Sequence, residues 1–200
     1  MDAWIVLPVK PLSEGKSRLA ALLTPQQRYD LNLFLFQRLL ALVQPMVPQQ
    51  LLVVSRCDRV LSLAKDAAGY ALKETGHDLN SALFEATAWL KERNAHHMLI
   101  IPTDLPQIMK EDVGSLIPAS ANHLLIARDR SKRGTNALFC PVQTAFQYKF
   151  GVDSCEKHAH QAINLGLKVV FRDNSRVAFD LDTPSDYAEW NQYATQLQGI

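Results

Sequence analysis

Three aspartates stand where chemistry can be done. Asp104 closes the run Met98-Leu99-Ile100-Ile101-Pro102-Thr103-Asp104, and Asp180 and Asp182 flank Leu181 after another apolar stretch. An apolar run of this kind reads as a buried parallel strand. Open α/β sheets bind their ligands at the carboxyl ends of such strands. Acids one residue apart on an extended segment point the same way, and like charges so placed repel unless a cation lies between them. Helix capping through Asp182-Thr183-Pro184 accounts for Asp182 or Thr183 and leaves Asp180 unexplained. Three carboxylates converging on one rim suit one or two Mg²⁺ ions, which take hard oxygen ligands and share them with substrate phosphates. The chemistry expected is phosphoryl or nucleotidyl transfer.

Cations come from the loop after the first apolar run. Lys10 leaves that run, and Gly15-Lys16-Ser17-Arg18 follows. A Walker A loop needs Gly at position 10, which is Lys, so a P-loop NTPase is excluded. Lys10, Lys16 and Arg18 either cradle a triphosphate, with Gly15 letting the backbone approach, or form an ordinary solvated basic loop. In Gly76-His77-Asp78-Leu79-Asn80, a helix start with Asp78 and Asn80 can hold polar parts of a nucleotide; plain capping explains Asp78 alone. Phe150-Gly151-Val152-Asp153-Ser154 enters another helix, whose N-terminus favours an anion or is simply capped by Asp153 or Ser154. Arg128, Arg130, Lys132 and Arg133 bind an acidic substrate or are solvated.

Elements must bring these pieces together. Strands are expected at 3–9, 51–55, 70–73, 97–101, 123–127, 136–140 and 168–171. Helices are expected from Pro25, capped by Thr24 with Gln27 at the third position, to about 43; from a cap at Asp58 to near Gly69; over 79–93, stopped by Asn94; over 112–117; from Asp153 to Gly166; and from Pro184 onward. Strand and helix alternate, which predicts a three-layer α/β sandwich with a mostly parallel central sheet. The close strand spacing after position 120 predicts an antiparallel excursion. Two hundred residues fit one domain, 1–200.

Bulk properties narrow the function. A formal charge of +1 gives no general pull toward nucleic acid or anionic membrane, and no aromatic residues interleave the basic loop. No apolar run approaches the ~18 residues of a membrane span. The first apolar run reads as a core strand rather than a signal peptide. Three cysteines without a Cys-x-x-Cys pair predict reduced thiols in the cytoplasm. His96-His97 and His158-x-His160 lack zinc-ligand spacings and read as solvated or capping histidines.

Six segments together resemble a known family: Pro8-Val9-Lys10 with Gly15-Lys16-Ser17-Arg18-Leu19; Asp78-Leu79-Asn80-x-Ala82-Leu83; Pro102-Thr103-Asp104-Leu105-Pro106; Gly134-Thr135-Asn136-Ala137-Leu138; Phe150-Gly151-x-x-Ser154; and Asp180-Leu181-Asp182-Thr183-Pro184. In this order they resemble the guanylyltransferases that charge phospholactate, phosphoenolpyruvate or phosphoglycerate with GMP during deazaflavin coenzyme biosynthesis. These are similar in fold to molybdenum-cofactor nucleotidyltransferases. The resemblance implies a Rossmann-like fold of the nucleotide-diphospho-sugar-transferase type. It implies that Asp104, Asp180 and Asp182 ligate Mg²⁺ and, with Lys16, carry catalysis. Thr135, Gly151 and Ser154 would hold the phosphoacid. Lys10, Lys16 and Arg18 would face the GTP phosphates, with Asp78 and Asn80 near the nucleoside. Gly15 stands where many relatives carry Ala. An unstable diphosphodiester product would favour hand-over to the next enzyme of the pathway. Two rival expectations are a molybdenum-cofactor-type or sugar-1-phosphate nucleotidyltransferase, although Pro8-Val9-Lys10 is not their glycine-rich loop, and a non-catalytic GTP-binding regulator.

Overall fold

In the computed structural model, β1 (Ala3–Pro8) is buried along its whole length, because its side chains alternate between two separate cores. The structure describes residues 3–118, 120 and 122–198, with side chains as far as 193. Ile5 and Leu7 face a core shared with Phe36, Leu39 and Val43 of α1 (Pro25–Val43) and Val60 and Ala64 of α2 (Asp58–Asp66). Trp4 and Val6 face the other, filled by Leu83, Ala86 and Leu90 of α3 (Leu79–Lys91). Helices thus cover both sides of the sheet, as the alternating pattern predicts.

The sheet has seven strands. From β1 it runs outward through β2 (Leu51–Ser55) to β3 (Tyr70–Lys73). On the other side of β1 lies β4 (His97–Ile100), reached across the helix α3. The direction of winding reverses between β1 and β4, and such a switch point leaves a crevice at the strand ends. Beyond β4 come β6 (Thr135–Pro141), β5 (His123–Arg128) and β7 (Lys168–Arg172), in that spatial order. Only β6 runs against its neighbours, which is the expected antiparallel excursion. Its reversal places the start of β6 at the rim where the parallel strands end.

Several boundaries shift from those read in the sequence. The helix α4 (Lys110–Ser115) starts two residues before Asp112, because the Asp112 carboxylate reaches back to accept the Met109 N–H at 2.9 Å. Asp58 lies inside α2 rather than capping it, and pairs with Lys73 at 2.8 Å. The helix α5 (Ser154–Asn164) follows Asp153, whose side chain makes no cap bond. A short helix, α6 (Ser175–Ala178), was not foreseen; the Asn174 side chain caps it. The last helix is α7 (Pro184–Gln198).

The capping signals behaved as expected at α1, where Thr24 and Gln27 exchange side-chain bonds, and at α3, where Asp78 accepts from the Asn80 and Ser81 N–H groups. Two histidine readings are corrected. His97 is buried and stacks on Phe139 at 5.2 Å, and His158 is fully buried. His160 is exposed beside Glu156.

Candidate active site

Lys16 lies at the centre of the charge arrangement. Its backbone takes a left-handed conformation, φ 56°, which turns the side chain inward. Nζ donates to Asp182 Oδ1 at 2.9 Å and to Asp104 Oδ2 at 3.3 Å, and the side chain is only 7% exposed. Burial alone would lower its pKa; attraction to Asp104 and Asp182 outweighs that and raises it. Arg18 lies 3.7 Å from Asp182 with most of its side chain in solvent.

The acids are set by backbone pairing. Asp104 follows β4, and its carbonyl accepts the Leu181 N–H at 2.9 Å. That bond ties two segments 77 residues apart in sequence, by the arithmetic of their numbers. Leu181 is fully buried with Leu19, Leu23, Leu31 and Leu35, so Asp180 and Asp182 project from the opposite side of that segment. Capping of α7 falls to Thr183: its Oγ1 accepts the Asp186 N–H, and the Asp186 carboxylate takes the N–H groups of Asp182 and Thr183. The Asp182 carboxylate is therefore left to Lys16 and Arg18. Asp180 accepts from Asn136 Nδ2 at 3.3 Å. Burial first, then repulsion from Asp104 and Asp182, raises its pKa.

These oxygens fit a hard divalent cation in type and charge, since Asp180 gains from any positive neighbour. Among the described residues, however, no three His, Cys, Asp or Glu side chains form a ready ligand set. Asp104 and Asp182 share the ammonium of Lys16 instead.

Gly15 meets a packing constraint in addition to bordering the site. A Cβ there would lie 2.5 Å from Asn32 Nδ2, which donates to the Leu12 carbonyl at 2.8 Å.

Across the opening is a second polar group. The Lys149 N–H donates to His158 Nε2 at 3.0 Å, so the ring proton sits on Nδ1 and donates to Thr135 Oγ1 at 3.1 Å. Ser154 Oγ also donates to Thr135 Oγ1, at 3.1 Å. Both lone pairs of Thr135 are thereby taken, and its own hydroxyl proton is left to donate elsewhere. Burial pushes the His158 pKa down to about 4, so the ring is neutral near pH 7. Gly151, at φ 118°, takes a conformation that side chains rarely adopt. The α5 terminus is less open to an anion than its sequence implies. The Ser154 N–H bonds the Gly151 carbonyl, and the Cys155 N–H bonds the Arg133 carbonyl.

One cavity of about 780 Å³ joins these groups. Lys10, Lys16 and Arg18 border it, as do Asp104, Asp180 and Asp182 and also Thr135, Gly151 and Ser154. Asp78 also borders it, with its carboxylate committed to the cap. Asn80 is not among the residues that border it: both ends of its amide bond the Phe150 backbone, at 2.9 and 3.3 Å. It holds the loop that carries Gly151. The basic loop is mostly spent within the chain. Arg128 and Lys132 pair with Asp173, and Arg130 with Glu189. Arg133 borders the cavity.

Two participants escaped the sequence reading. His158 shares the inward face of α5 with Ser154, Cys155, Ala159 and Ala162, and that helical spacing was a usable signal for a buried ring. Asn136 orders Asp180 from one residue past Thr135, and nothing local marked it.

The family model described as "Guanylyl transferase CofC like" matches residues 3–193. The chain is 35% identical over 190 residues to a phosphoenolpyruvate guanylyltransferase from Rubrobacter xylanophilus, covering 94% of this chain and 93% of that protein. It is 30% identical to a 2-phospho-L-lactate guanylyltransferase from Methanocaldococcus vulcanius, covering 92% and 82%. Among solved structures, a putative nucleotide-diphospho-sugar transferase from Desulfovibrio desulfuricans superposes with TM-score 0.65 at 14% identity, covering 91% of this chain and 83% of that one. A 4-diphosphocytidyl-2C-methyl-D-erythritol synthase from Anaerococcus prevotii gives 0.64 at 12%, covering 97% of each. The likeness to these structures supports the fold expected from the sequence.

Proposed function

The chain belongs to the CofC-like guanylyl transferase family and is a nucleotidyltransferase; on that premise we propose that it moves GMP from GTP onto a small phosphorylated carboxylic acid and releases pyrophosphate. Phosphoenolpyruvate is the first acceptor to test, because it names the reaction of relatives at 34–35% identity; phospholactate and 3-phosphoglycerate follow. We assign the reaction to deazaflavin coenzyme biosynthesis.

The observation that carries this reading is one cavity bordered both by Lys16, Asp104 and Asp182 and by Thr135 and Ser154, with His158 buried behind Thr135. A phosphate oxygen of the acid attacks the α-phosphorus of GTP, and pyrophosphate leaves in line. That phosphate already carries roughly −1.5 to −2 charge, so no general base is required. Lys16 and Arg18 offset the charge of the leaving group. Thr135 donates to an anionic group of the acceptor and holds it in place. Asp104, Asp180 and Asp182 would hold Mg²⁺, which when bound neutralises phosphate charge and orients the phosphoryl oxygens.

The test is purified protein with GTP, magnesium and each of the three acids, scored by pyrophosphate release and product mass. Release with one of the acids and the mass of the GMP adduct are the expected results. GTP binding without turnover on any acid would favour a non-catalytic regulator.

A further inference from the structure

Four carboxylates gather where β2 and β3 end and α3 begins: Glu14, Glu74, Asp78 and Glu85. Three are satisfied. Glu14 pairs with Arg56 at 2.7 Å. Asp78 caps α3. Glu85 accepts from the Thr75 and Gly76 N–H groups and the Thr75 hydroxyl. Glu74 differs. It is 9% exposed and borders the cavity, yet among the described residues nothing makes a hydrogen bond or ion pair with its side chain. Arg56 attracts it from nearby, but its N–H groups go to Glu14, the Gly76 carbonyl and His77.

Position and surroundings make this carboxylate a ligand group. The Glu74 N–H bonds the Ser55 carbonyl at 3.2 Å, which continues the β2–β3 pairing and fixes the backbone. Val9, Leu79 and Ala82 border the same cavity and offer apolar surface to a flat ring. The carboxylate oxygens of Glu74 keep access to the cavity, where the donors of a ligand can replace water. Burial raises its pKa, Arg56 opposes the rise, and Glu85, Asp78 and Glu14 add to it. A group presenting two adjacent N–H donors matches the two oxygens of such a carboxylate.

We propose that Glu74 reads the nucleobase, accepting hydrogen bonds from N1–H and the 2-amino group of guanine, and so sets the preference for GTP. The inference rests on the function proposed above and names the residue behind its choice of nucleotide. Adenine offers an acceptor at N1 and cytosine one at N3, and a carboxylate repels both.

The test measures binding of GTP, ITP and ATP by calorimetry on the wild type and on Glu74→Gln and Glu74→Asp, with GMP transfer to phosphoenolpyruvate followed separately. ITP is GTP without the 2-amino group. The wild type should bind GTP about tenfold or more tightly than ITP or ATP. In Glu74→Gln the GTP preference over ITP should collapse toward one, and ATP should gain, because a carboxamide matches the adenine edge. Glu74→Asp keeps the charge but withdraws it by one carbon, so GTP should weaken while ATP stays excluded. A native melting profile of each variant guards against loss of fold. Equal wild-type affinity for GTP and ITP, or full discrimination in Glu74→Gln, overturns the inference. Discrimination that depends on Glu74 without any GMP transfer would sustain it and remove the proposed reaction instead. Turnover with a base preference indifferent to Glu74 would do the reverse.

Discussion

Lys16 is the residue on which the charge balance turns. It is one buried ammonium between two carboxylates, and breaking such a group leaves charges that water cannot fully solvate. In Lys16→Ala, pyrophosphate release should drop by about 10²–10³-fold with a native circular dichroism spectrum. Magnesium should raise the melting temperature of this variant more than that of the wild type, because Asp104 and Asp182 would no longer share an ammonium. An identical shift in both proteins would detach those acids from any metal role. His158 acts more quietly, by fixing which way the Thr135 hydroxyl points. Its pKa falls from an ordinary 6.5 to about 4 in the fold. The unfolded chain therefore takes up a proton near pH 6.5, while the native chain waits until about 4. The stability conferred is complete above 6.5 and is lost as pH falls through that window, by about 3 kcal/mol at most. The melting temperature of His158→Gln should decline less steeply than that of the wild type between pH 6.5 and 4; parallel declines would contradict the assignment.

At the scale of elements, the site depends on how far-apart segments are tied. The 180–182 segment is held by the Leu181 N–H on Asp104, by the buried Leu181 side chain and, just upstream, by Asp112. Asp112 is 2% exposed and takes both Arg176 Nε and Nη2, at 2.7 and 2.6 Å, together with Asn174 Nδ2 at 2.7 Å. Hydrogen bonding from Arg176 above all holds its pKa low. A depressed carboxylate contributes stability above its unfolded pKa and loses it as pH falls through the folded value. Asp112→Asn should therefore cost about 2–4 kcal/mol near pH 7, with the gap to the wild type closing below pH 4. Urea melts at pH 7 and pH 3.5 check both statements, and a constant gap would refute the second. This clamp was not visible in the sequence. Asp112 read as a helix start, and Arg176 lies on a four-residue helix too short for periodicity to reveal.

For the molecule as a whole, the strand pattern was legible because apolar runs and caps are local signals. The mostly parallel sheet and its antiparallel excursion also followed from alternation and one short spacing, whereas the order of the strands came only with the structure. The acids were legible for a physical reason: a charge at the end of a buried run is unexpected unless something uses it. Glu74 obeys the same rule, directly after β3, and the weak, half-exposed character of that strand hid it. The bonds of Asn80 to Phe150 were not legible, because a polar group near a helix start looks alike whether it meets a ligand or another stretch of backbone. What escaped were bonds between residues remote in sequence, such as Asn136 with Asp180 and Lys149 with His158.

The lone reversed strand has one more consequence. Because β6 enters at the rim that its neighbours leave, residues of the hairpin turn at 129–134 border the cavity together with Thr135 and Ser154, while on the proposed reading the GTP phosphates would lie against the loop after β1. On the proposed function, donor and acceptor would be gripped by separable parts of the chain. Grafting that turn from a phospholactate-using relative should shift acceptor choice, as scored on a mixed-acid panel, and leave the nucleotide requirement where it was. A chain built this way would change its acid at one hairpin and leave Asp104, Asp180 and Asp182 undisturbed.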